Sequence, residues 1–201
     1  MRNVDALPSQ EKLPTKERIV RAGVMLFQAH GYHGTGLTML LGQAKIPKGS
    51  FYHHFPGGKE ELAAATLTWL QSEVEIHLEK LADEGASFRM MMLGIAGFSA
   101  AGLRDNRSRR GSLLAVLTQD AIPESAMIAA AARRYADSIA GHLMAALERD
   151  GIDGNPAALV QQALALLQGG PVLARIAGDP NRVVEIVQSW LDHIQPPKDK
   201  E

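Results

Sequence analysis

The 201-residue sequence predicts an all-α fold of about nine helices. Apolar residues recur at three- and four-residue spacing along most of the chain, which is the period of a helix with one buried face. Glycine and proline, together with Ser, Thr, Asp and Asn, interrupt this pattern at intervals of helix length, as helix ends require. A hydrophobic fraction of 46% argues against disorder, and an aromatic fraction of only 5% indicates a core built mainly from Ala and Leu.

The charges are divided unevenly along the chain. Residues 1–60 contain 8 Lys and Arg against 4 Asp and Glu, a balance of +4, whereas the remainder contains 13 against 18, a balance of −5. A basic segment joined to an acidic one is typical of a nucleic-acid-binding module attached to another domain. Chance explains a difference of this size about as well, so charge alone does not identify the function.

The first 60 residues predict a helix-turn-helix unit over residues 15–60. Residues 1–14 contain two prolines among polar residues, which indicates a flexible arm. Thr15 is a suitable N-cap for a first helix that Gly31 ends, and residues 32–36 are too rich in glycine for a helix. Two short helices follow, at 37–44 and 47–54, joined by a tight turn. A three-helix lobe with no DNA function is the alternative that this pattern leaves open.

Residues 61–195 predict a helical domain, followed by a charged tail at 196–201. Two of its helices begin at cap-and-proline pairs, Asn155–Pro156 and Asp179–Pro180. The basic residues 106–111 are interpreted as a solvated turn rather than a second DNA contact. The expected helices span residues 59–83, 87–105, 112–119, 124–149, 156–177 and 180–194.

The basic and aromatic stretch from Lys45 to Lys59 carries the functional prediction. Pro47 is suited to the start of a helix because its missing N–H would have no intrahelical partner. We expect Phe51 and Phe55 to anchor this short third helix in a core and to leave its polar side chains exposed. Such a helix fits the major groove of DNA, where a lysine can donate to guanine O6/N7 or to a phosphate.

The same segment contains residues in the order and spacing of a known DNA-binding domain: Arg18-Ile19, Leu26-Phe27, Gly31-Tyr32, Thr35, Ala44, Gly49 to Phe55, and Lys59 to Leu62. Across residues 17–62 the chain resembles the TetR family of bacterial transcriptional repressors. Residues 34–37 and 55–59 are similar to the LmrA/YxaF-like branch of that family.

The resemblance implies a homodimer, without a cofactor, that reads a palindromic operator in double-stranded DNA and is released by a small-molecule effector. The long fourth helix would connect the DNA-binding and effector-binding domains. Two departures from the family pattern are Gly36, where a Ser or Thr cap is usual, and Gly57–Gly58, which adds one residue before Lys59. By position, the resemblance implies DNA contacts from Thr38 on the second helix, from Lys48, Gly49, Ser50, Tyr52 and His53 on the third, and from Lys59 as a phosphate clamp on the fourth.

The helical domain supplies candidates for an effector pocket and a dimer interface. Large adaptable side chains are expected to bind a flat, largely apolar effector such as a flavonoid, although each also fits a core position. The small residues among the interface candidates would permit close approach of two helices. The pocket candidates are Trp69, Phe88, Met92, Phe98 and Tyr135, and the interface candidates are Leu159, Ala163, Leu166, Gly170, Ile186 and Trp190.

Two other classes of function are weighed against a DNA-binding regulator. An enzyme is disfavoured because the sequence shows no zinc-protease His pair, no glycine-rich phosphate loop and no nucleophile elbow. His53 and His54 point about 100° apart on a helix, so one metal ion is not expected to bind both. His77 and His142 are interpreted as interior histidines with satisfied hydrogen bonds. A helical interaction protein that does not bind DNA is the other alternative, but it would not need a basic third helix.

The composition also predicts where the protein resides. The chain contains no cysteine, which excludes disulfides and thiolate metal sites. No apolar run is expected to approach the roughly 20 residues that span a bilayer, and the N-terminal residues lack an apolar signal-peptide core. We therefore expect a soluble cytoplasmic protein with no membrane contact.

Overall fold

The computed structural model describes residues 13–105, 112–122, 124–152 and 154–194. Every regular element in these ranges is a helix, which confirms the predicted all-α class. Residues 1–12 of the predicted arm, the basic turn at 106–111 and the tail at 196–201 lie outside the described residues. The helices are α1 (Thr15–Gly34), α2 (Leu37–Ala44), α3 (Lys48–His54), α4 (Gly58–Asp83), α5 (Phe88–Asp105), α6 (Leu113–Asp120), α7 (Ala126–Asp150), α8 (Pro156–Ala177) and α9 (Arg182–Leu191).

Helix α1 differs from the prediction at both ends. Thr15 is its first helical residue rather than its cap, because Pro14 occupies the N-cap position without a side-chain hydrogen bond. Gly31 interrupts the helix as predicted, with a φ of 75° that lies in the left-handed region. Residues 32–34 then form another helical turn, so they are not the non-helical linker that their glycine content suggested.

Helices α2 and α3 confirm the predicted pair of short helices. Lys45 adopts a left-handed conformation with φ 52°, and its N–H returns to the Gly42 carbonyl at 3.2 Å. This left-handed residue closes α2 and turns the chain toward α3. Pro47 stands at the N-cap of α3, one position earlier than a first helical residue. Gly36 caps α2 without a side-chain hydrogen bond, as a residue with no side chain must.

Side-chain caps fix the starts of α6 and α8. Ser112 Oγ accepts from the Ala115 N–H at 3.4 Å, and Asn155 Oδ1 accepts from the Ala158 N–H at 3.3 Å. The predicted start of the last helix at Pro180 is wrong by two residues. Asp179 Oδ1 accepts from the Asn181 N–H at 2.9 Å, which forms a local turn before α9 begins.

The described chain forms two compact units. Unit one contains residues up to Gln71 together with those from α6 to Tyr135, and unit two contains the rest. In unit one, α1 packs against α2 and α6, and its core includes Ile19, Phe27, Leu40, Phe51 and Leu62. The helix-turn-helix segment predicted at 15–60 therefore belongs to a larger unit. In unit two, α5, α8 and α9 pack together around Phe88, Met92, Val183 and Val187.

Helix α8 contradicts the expectation that no apolar run approaches the length needed to span a bilayer. By length and composition alone, its 22 residues are apolar enough to cross a membrane. That is weak evidence for a span, because the core helix of a soluble protein passes the same test. Within unit two, α8 packs against α9 and α5 and buries Val160, Ala163, Leu167 and Ala174. Packing on these neighbours explains part of its apolar character.

Candidate nucleic-acid interface

Two phenylalanines anchor α3 in unit one. Phe51 and Phe55 are 0% and 1% exposed, and their ring centroids lie 5.9 Å apart. A seven-residue helix is not stable by itself in water, so its position depends on these buried rings. This arrangement agrees with the expectation that both residues belong to the core.

The outer side of α3 is polar and open. We define the reader face as Lys48, Gly49, Tyr52 and His53, all of which are exposed. Lys48 Nζ lies 6.0 Å from the centroid of the Tyr52 ring, at the limit of a cation–π contact. A Cβ added at Gly49 would meet no atom within 4 Å, so packing inside the protein does not require glycine there. The missing side chain leaves the α3 backbone open to close approach from outside.

The other residues predicted to bind DNA differ in exposure. Thr38 at the start of α2 is exposed, whereas Ser50 on α3 and Lys59 at the start of α4 are half-buried. Among the described residues, no group of three or more His, Asp or Glu side chains is arranged to hold a metal ion.

Arg18 of α1 holds the turn between α2 and α3. Its Nη2 donates to the Ala44 carbonyl at 2.6 Å and to the Lys45 carbonyl at 2.8 Å. These oxygens end α2 and lack intrahelical partners, so the guanidinium acts as a C-terminal cap. From the sequence, Arg18 was identified only as one of the residues that match the TetR family pattern, and this contact was not predicted. A contact across 26 residues has no signal in helical spacing.

Lys59 makes its contacts inside the protein. Its Nζ donates to the Tyr32 carbonyl at 3.0 Å and to the Thr35 carbonyl at 3.2 Å, and lies 4.4 Å from the centroid of the Tyr32 ring. Burial lowers the pKa of Lys59 from its usual value. Burial also raises the pKa of Tyr32, with a contribution from the negative charges of Glu60 and Glu124. The ammonium is thus shared between two main-chain oxygens and a ring.

Helix α6 ends against the kink in α1. Asp120 Oδ2 accepts from the Tyr32 N–H at 2.9 Å, and the Asp120 carbonyl oxygen lies 2.7 Å from His33 Nε2. A second link joins α4 to the start of α7, where Ser125 Oγ donates to Glu60 Oε1 and accepts from the Ile128 N–H. The helix-turn-helix segment is therefore tied to α6 and α7 by side chains that sequence reasoning did not identify.

The predicted pocket residues divide between the two units. Trp69 and Tyr135 belong to unit one, whereas Phe88, Met92 and Phe98 belong to unit two. Phe88 and Met92 are buried, and the Phe88 ring meets the Trp190 ring edge-on at 6.1 Å. Burial raises the pKa of Tyr135 to about 12. Trp69 and Phe98 are half-buried, and a role for the five in binding an effector stays a prediction.

His77 corrects an expectation about interior histidines. Its ring stacks on Phe98 with centroids 6.1 Å apart, but its Nε2 is buried and has no hydrogen-bond partner. That nitrogen would lie 3.2 Å from a Cβ at Gly94, so glycine there allows α4 and α5 to approach closely within unit two. The histidine is interior, as expected, but its hydrogen bonds are not satisfied.

The predicted dimer residues also differ in accessibility. Ala163 and Gly170 are buried within one chain, where a Cβ at Gly170 would lie 3.4 Å from Val183 Cγ1 of α9. The missing side chain of Gly170 therefore permits close packing of α9, and both residues are closed to a partner because they are buried within the chain. Leu159, Leu166, Ile186 and Trp190 are half-buried.

A more exposed apolar surface lies at the C-terminal end of α8. We define the α8 face as Val172, Leu173 and Ile176, which are 48%, 52% and 78% exposed. The interface candidates predicted from the sequence did not include these residues. Their signal is that large apolar residues stand at three positions outside the buried Pro171 and Ala174, where a solvated helix would carry polar ones.

Comparison with known proteins identifies the N-terminal segment. A family model described as "Bacterial regulatory proteins, tetR family" matches residues 19–66. Residues of this chain are 42% identical over 69 positions to the HTH-type transcriptional regulator LmrA of Bacillus subtilis, and 42% identical over 72 positions to the HTH-type transcriptional regulator YxaF of the same organism. These matches cover 34% and 36% of this chain and span 35% and 38% of those two relatives, so they concern the N-terminal segment alone.

A longer match extends through most of the chain. The HTH-type transcriptional repressor NemR of Escherichia coli is 27% identical over 188 residues, covering 90% of this chain and 92% of that protein. The crystal structure of the reduced form of NemR superposes with a TM-score of 0.77 at 25% identity, covering 91% of this chain and 99% of that one. The arrangement of the described helices, the N-terminal helix-turn-helix among them, thus recurs in a solved repressor.

Proposed function

We propose that this chain, whose residues 19–66 match the TetR family of bacterial regulatory proteins, is a ligand-responsive transcriptional regulator of that family. It binds operator DNA through the reader face, with Thr38 and Ser50 adding contacts from the flanking positions. Its most direct action is repression, which ends when a small, largely apolar effector binds elsewhere in the chain.

The observation that supports DNA binding is the reader face itself. A lysine, a tyrosine, a histidine and a bare glycine backbone are exposed on a helix whose opposite side is fixed by two buried rings. A helix of this kind can enter the major groove without rearrangement of its core, because only exposed atoms meet the DNA. Packing inside the protein does not require glycine at position 49. A glycine on this polar surface therefore suits a partner that comes close to the backbone.

Dimerisation is proposed from the exposed apolar residues of α8. The α8 face, together with the half-buried Leu159, Leu166, Ile186 and Trp190, would be covered by the same surface of a second copy, as twofold symmetry requires. A dimer of helix-turn-helix units reads two half-sites roughly 34–36 Å apart, one DNA turn or a multiple of it, so the operator would be a pseudo-palindrome.

Effector release requires that the ligand bind one conformation of the dimer better than the other. Only such a difference in affinity shifts the population away from the DNA-competent state. We propose α4 as the connecting element, because it runs without interruption from unit one into unit two. Substituting Trp69 and Phe98 by Leu should then weaken release by a flavonoid or similar flat compound while operator affinity is kept. Unaltered release in both variants would contradict the pocket assignment.

DNA binding is tested by titrating the purified protein onto fluorescent fragments from the region upstream of its own gene. We expect saturable binding, with a log–log salt slope near 0.9 per neutralised phosphate. Lys48→Ala should weaken binding by about 1–3 kcal/mol and reduce the slope by about one. The matched control is Lys80→Ala, whose side chain on α4 is 74% exposed and far along the chain from the reader face. Indifference of the wild-type protein to every fragment at low salt would refute the proposed function.

A further inference from the structure

Two helices hold the main chain of one residue, Tyr32, immediately after the kink in α1. Its N–H donates to Asp120 Oδ2 of α6 at 2.9 Å, and its carbonyl accepts from Lys59 Nζ of α4 at 3.0 Å. Lys59 also donates to the Thr35 carbonyl at 3.2 Å. One peptide segment at the end of α1 is thus held from two directions by side chains of opposite charge.

The local sequence is built for this arrangement. A Cβ at Gly31 would lie 2.6 Å from Asp120 Oδ2 and would displace that carboxylate, and the φ of 75° there is one that glycine adopts readily. Thr35 is fully buried, and its Oγ1 donates to the Gly31 carbonyl at 2.7 Å. The kink is therefore fixed on both sides before the chain enters α2 at Leu37.

We infer that Lys59 and Asp120 are positioning residues, which orient α2 and α3 for DNA by holding Tyr32, and that Lys59 does not act as a phosphate clamp. This inference depends on the proposed function. The physical reason is that only four residues separate Tyr32 from α2. A change in the angle of the kink would therefore change the orientation of α2 and of the reader face on α3, which follows it. Two of the three N–H groups of this ammonium already donate to carbonyls and the group covers a ring, so its position is set by contacts inside the protein rather than by a phosphate.

The salt dependence of DNA binding separates the two roles of Lys59. A lysine that neutralises a phosphate contributes about 0.9 to the log–log slope, whereas a positioning residue contributes to affinity alone. For Lys59→Met on the upstream fragment, we expect about tenfold weaker binding, the loss typical of one charge-assisted hydrogen bond, with an unchanged slope. Lys59→Arg, which can still donate to both carbonyls, should recover most of the affinity. A slope reduced by about 0.9 in Lys59→Met, or affinity within twofold of wild type, would overturn the inference.

Asp120 provides an independent arm of the experiment. Asp120→Ala removes the acceptor for the Tyr32 N–H and should also weaken binding about tenfold at constant slope. Asp120→Asn keeps an oxygen that can accept, so it should bind within about threefold of wild type. Asp137→Ala, an exposed aspartate on α7, is the matched control and should bind as wild type. Equal losses in Asp120→Asn and Asp120→Ala would contradict a role based on that hydrogen bond.

Two measurements keep folding and function apart. Hydrogen exchange at the Tyr32 amide should accelerate in Asp120→Ala, while the Phe27 amide on the same helix remains protected as in wild type; loss of protection at both would overturn the positioning role in favour of general unfolding. Tyr32→Phe keeps both main-chain bonds and should bind as wild type. If wild type binds DNA and neither Lys59→Met nor Asp120→Ala weakens that binding, the inference fails while the proposed function stands. If wild type binds no fragment, both fail.

Discussion

The reader face and the α8 face are exposed sides of helices that are otherwise packed, yet their chemistry is opposite. On α3, Phe51 is buried while Lys48, Tyr52 and His53 are exposed. On α8, Ala174 is buried while Leu173 and Ile176 are exposed, Ile176 more so than any other large hydrophobic residue in the described chain. Exposed cations and hydroxyls suit an anionic partner, whereas exposed isoleucine and leucine suit a protein surface that excludes water. The chemistry of the exposed side chains therefore indicates a different kind of partner for each helix.

The largest expected effect comes from removing the anchor of the reader face. Phe51→Ala should lower the free energy of unfolding of unit one by about 3–5 kcal/mol, because it removes transfer energy and leaves a cavity. The matched control is the next residue, Tyr52→Ala, which is exposed and should change stability by less than about 1 kcal/mol while weakening DNA binding. Urea denaturation measures both. A loss below about 1 kcal/mol for Phe51→Ala would show that the rings do not anchor α3.

Stability at alkaline pH tests the burial of Tyr135 in unit one and involves no residue of the reader face or the α8 face. Because burial raises the pKa of Tyr135 from 10.0 to about 12, the folded chain keeps a proton that the unfolded chain loses. The associated stability is fully present below pH 10 and falls by about 2–3 kcal/mol as the pH rises toward 12. Tyr135→Phe should remove this loss, so the two denaturation curves should diverge only above pH 10. Parallel curves across that range would contradict the burial of the hydroxyl.

A charged residue placed in the α8 face should disrupt the proposed dimer interface. Ile176→Glu should weaken dimerisation by about 1.5–3 kcal/mol, the energy of burying an isoleucine, or more because a carboxylate must be desolvated. Ile76→Glu on α4 is the matched control, since that isoleucine is 66% exposed but lies outside the proposed interface. Sedimentation equilibrium measures both dissociation constants. Equal effects of the two substitutions would remove the distinction between the α8 face and any exposed apolar residue.

The smallest expected effect concerns Gly36 at the N-cap of α2, the short helix that precedes the reader face. Gly36 has φ −88° and ψ 157°, a conformation that any residue adopts, and a Cβ there would meet no atom within 4 Å. Gly36→Ser should supply the missing N-cap of α2 and raise stability by a few tenths of a kcal/mol. Gly36→Ala adds the Cβ without the hydroxyl and is the control. A serine variant no more stable than the alanine variant would indicate that its hydroxyl does not cap the helix.

Most helix positions followed from the sequence alone. The bounds of α2 and the placement of α3, α5 and α8 agree with the predictions because helical period and caps are local, involving residues within about one turn of each other. The exposed polar side of α3 was predictable for the same reason. The errors at Thr15, at residues 32–34 and at Pro180 are errors of ends, where a helix can begin or resume at several neighbouring residues with similar energy.

The roles of particular side chains came only from the tertiary structure. Lys59 reaches Tyr32 across 27 residues and Asp120 reaches it across 88, and no periodicity in the sequence records such contacts. Gly170 had the size for a helix contact, but only packing shows that the neighbour is α9 of the same chain. Local interactions determined which residues are helical and which sides are polar. Long-range packing decided which of those side chains are free to meet a partner and which are already used to hold the fold.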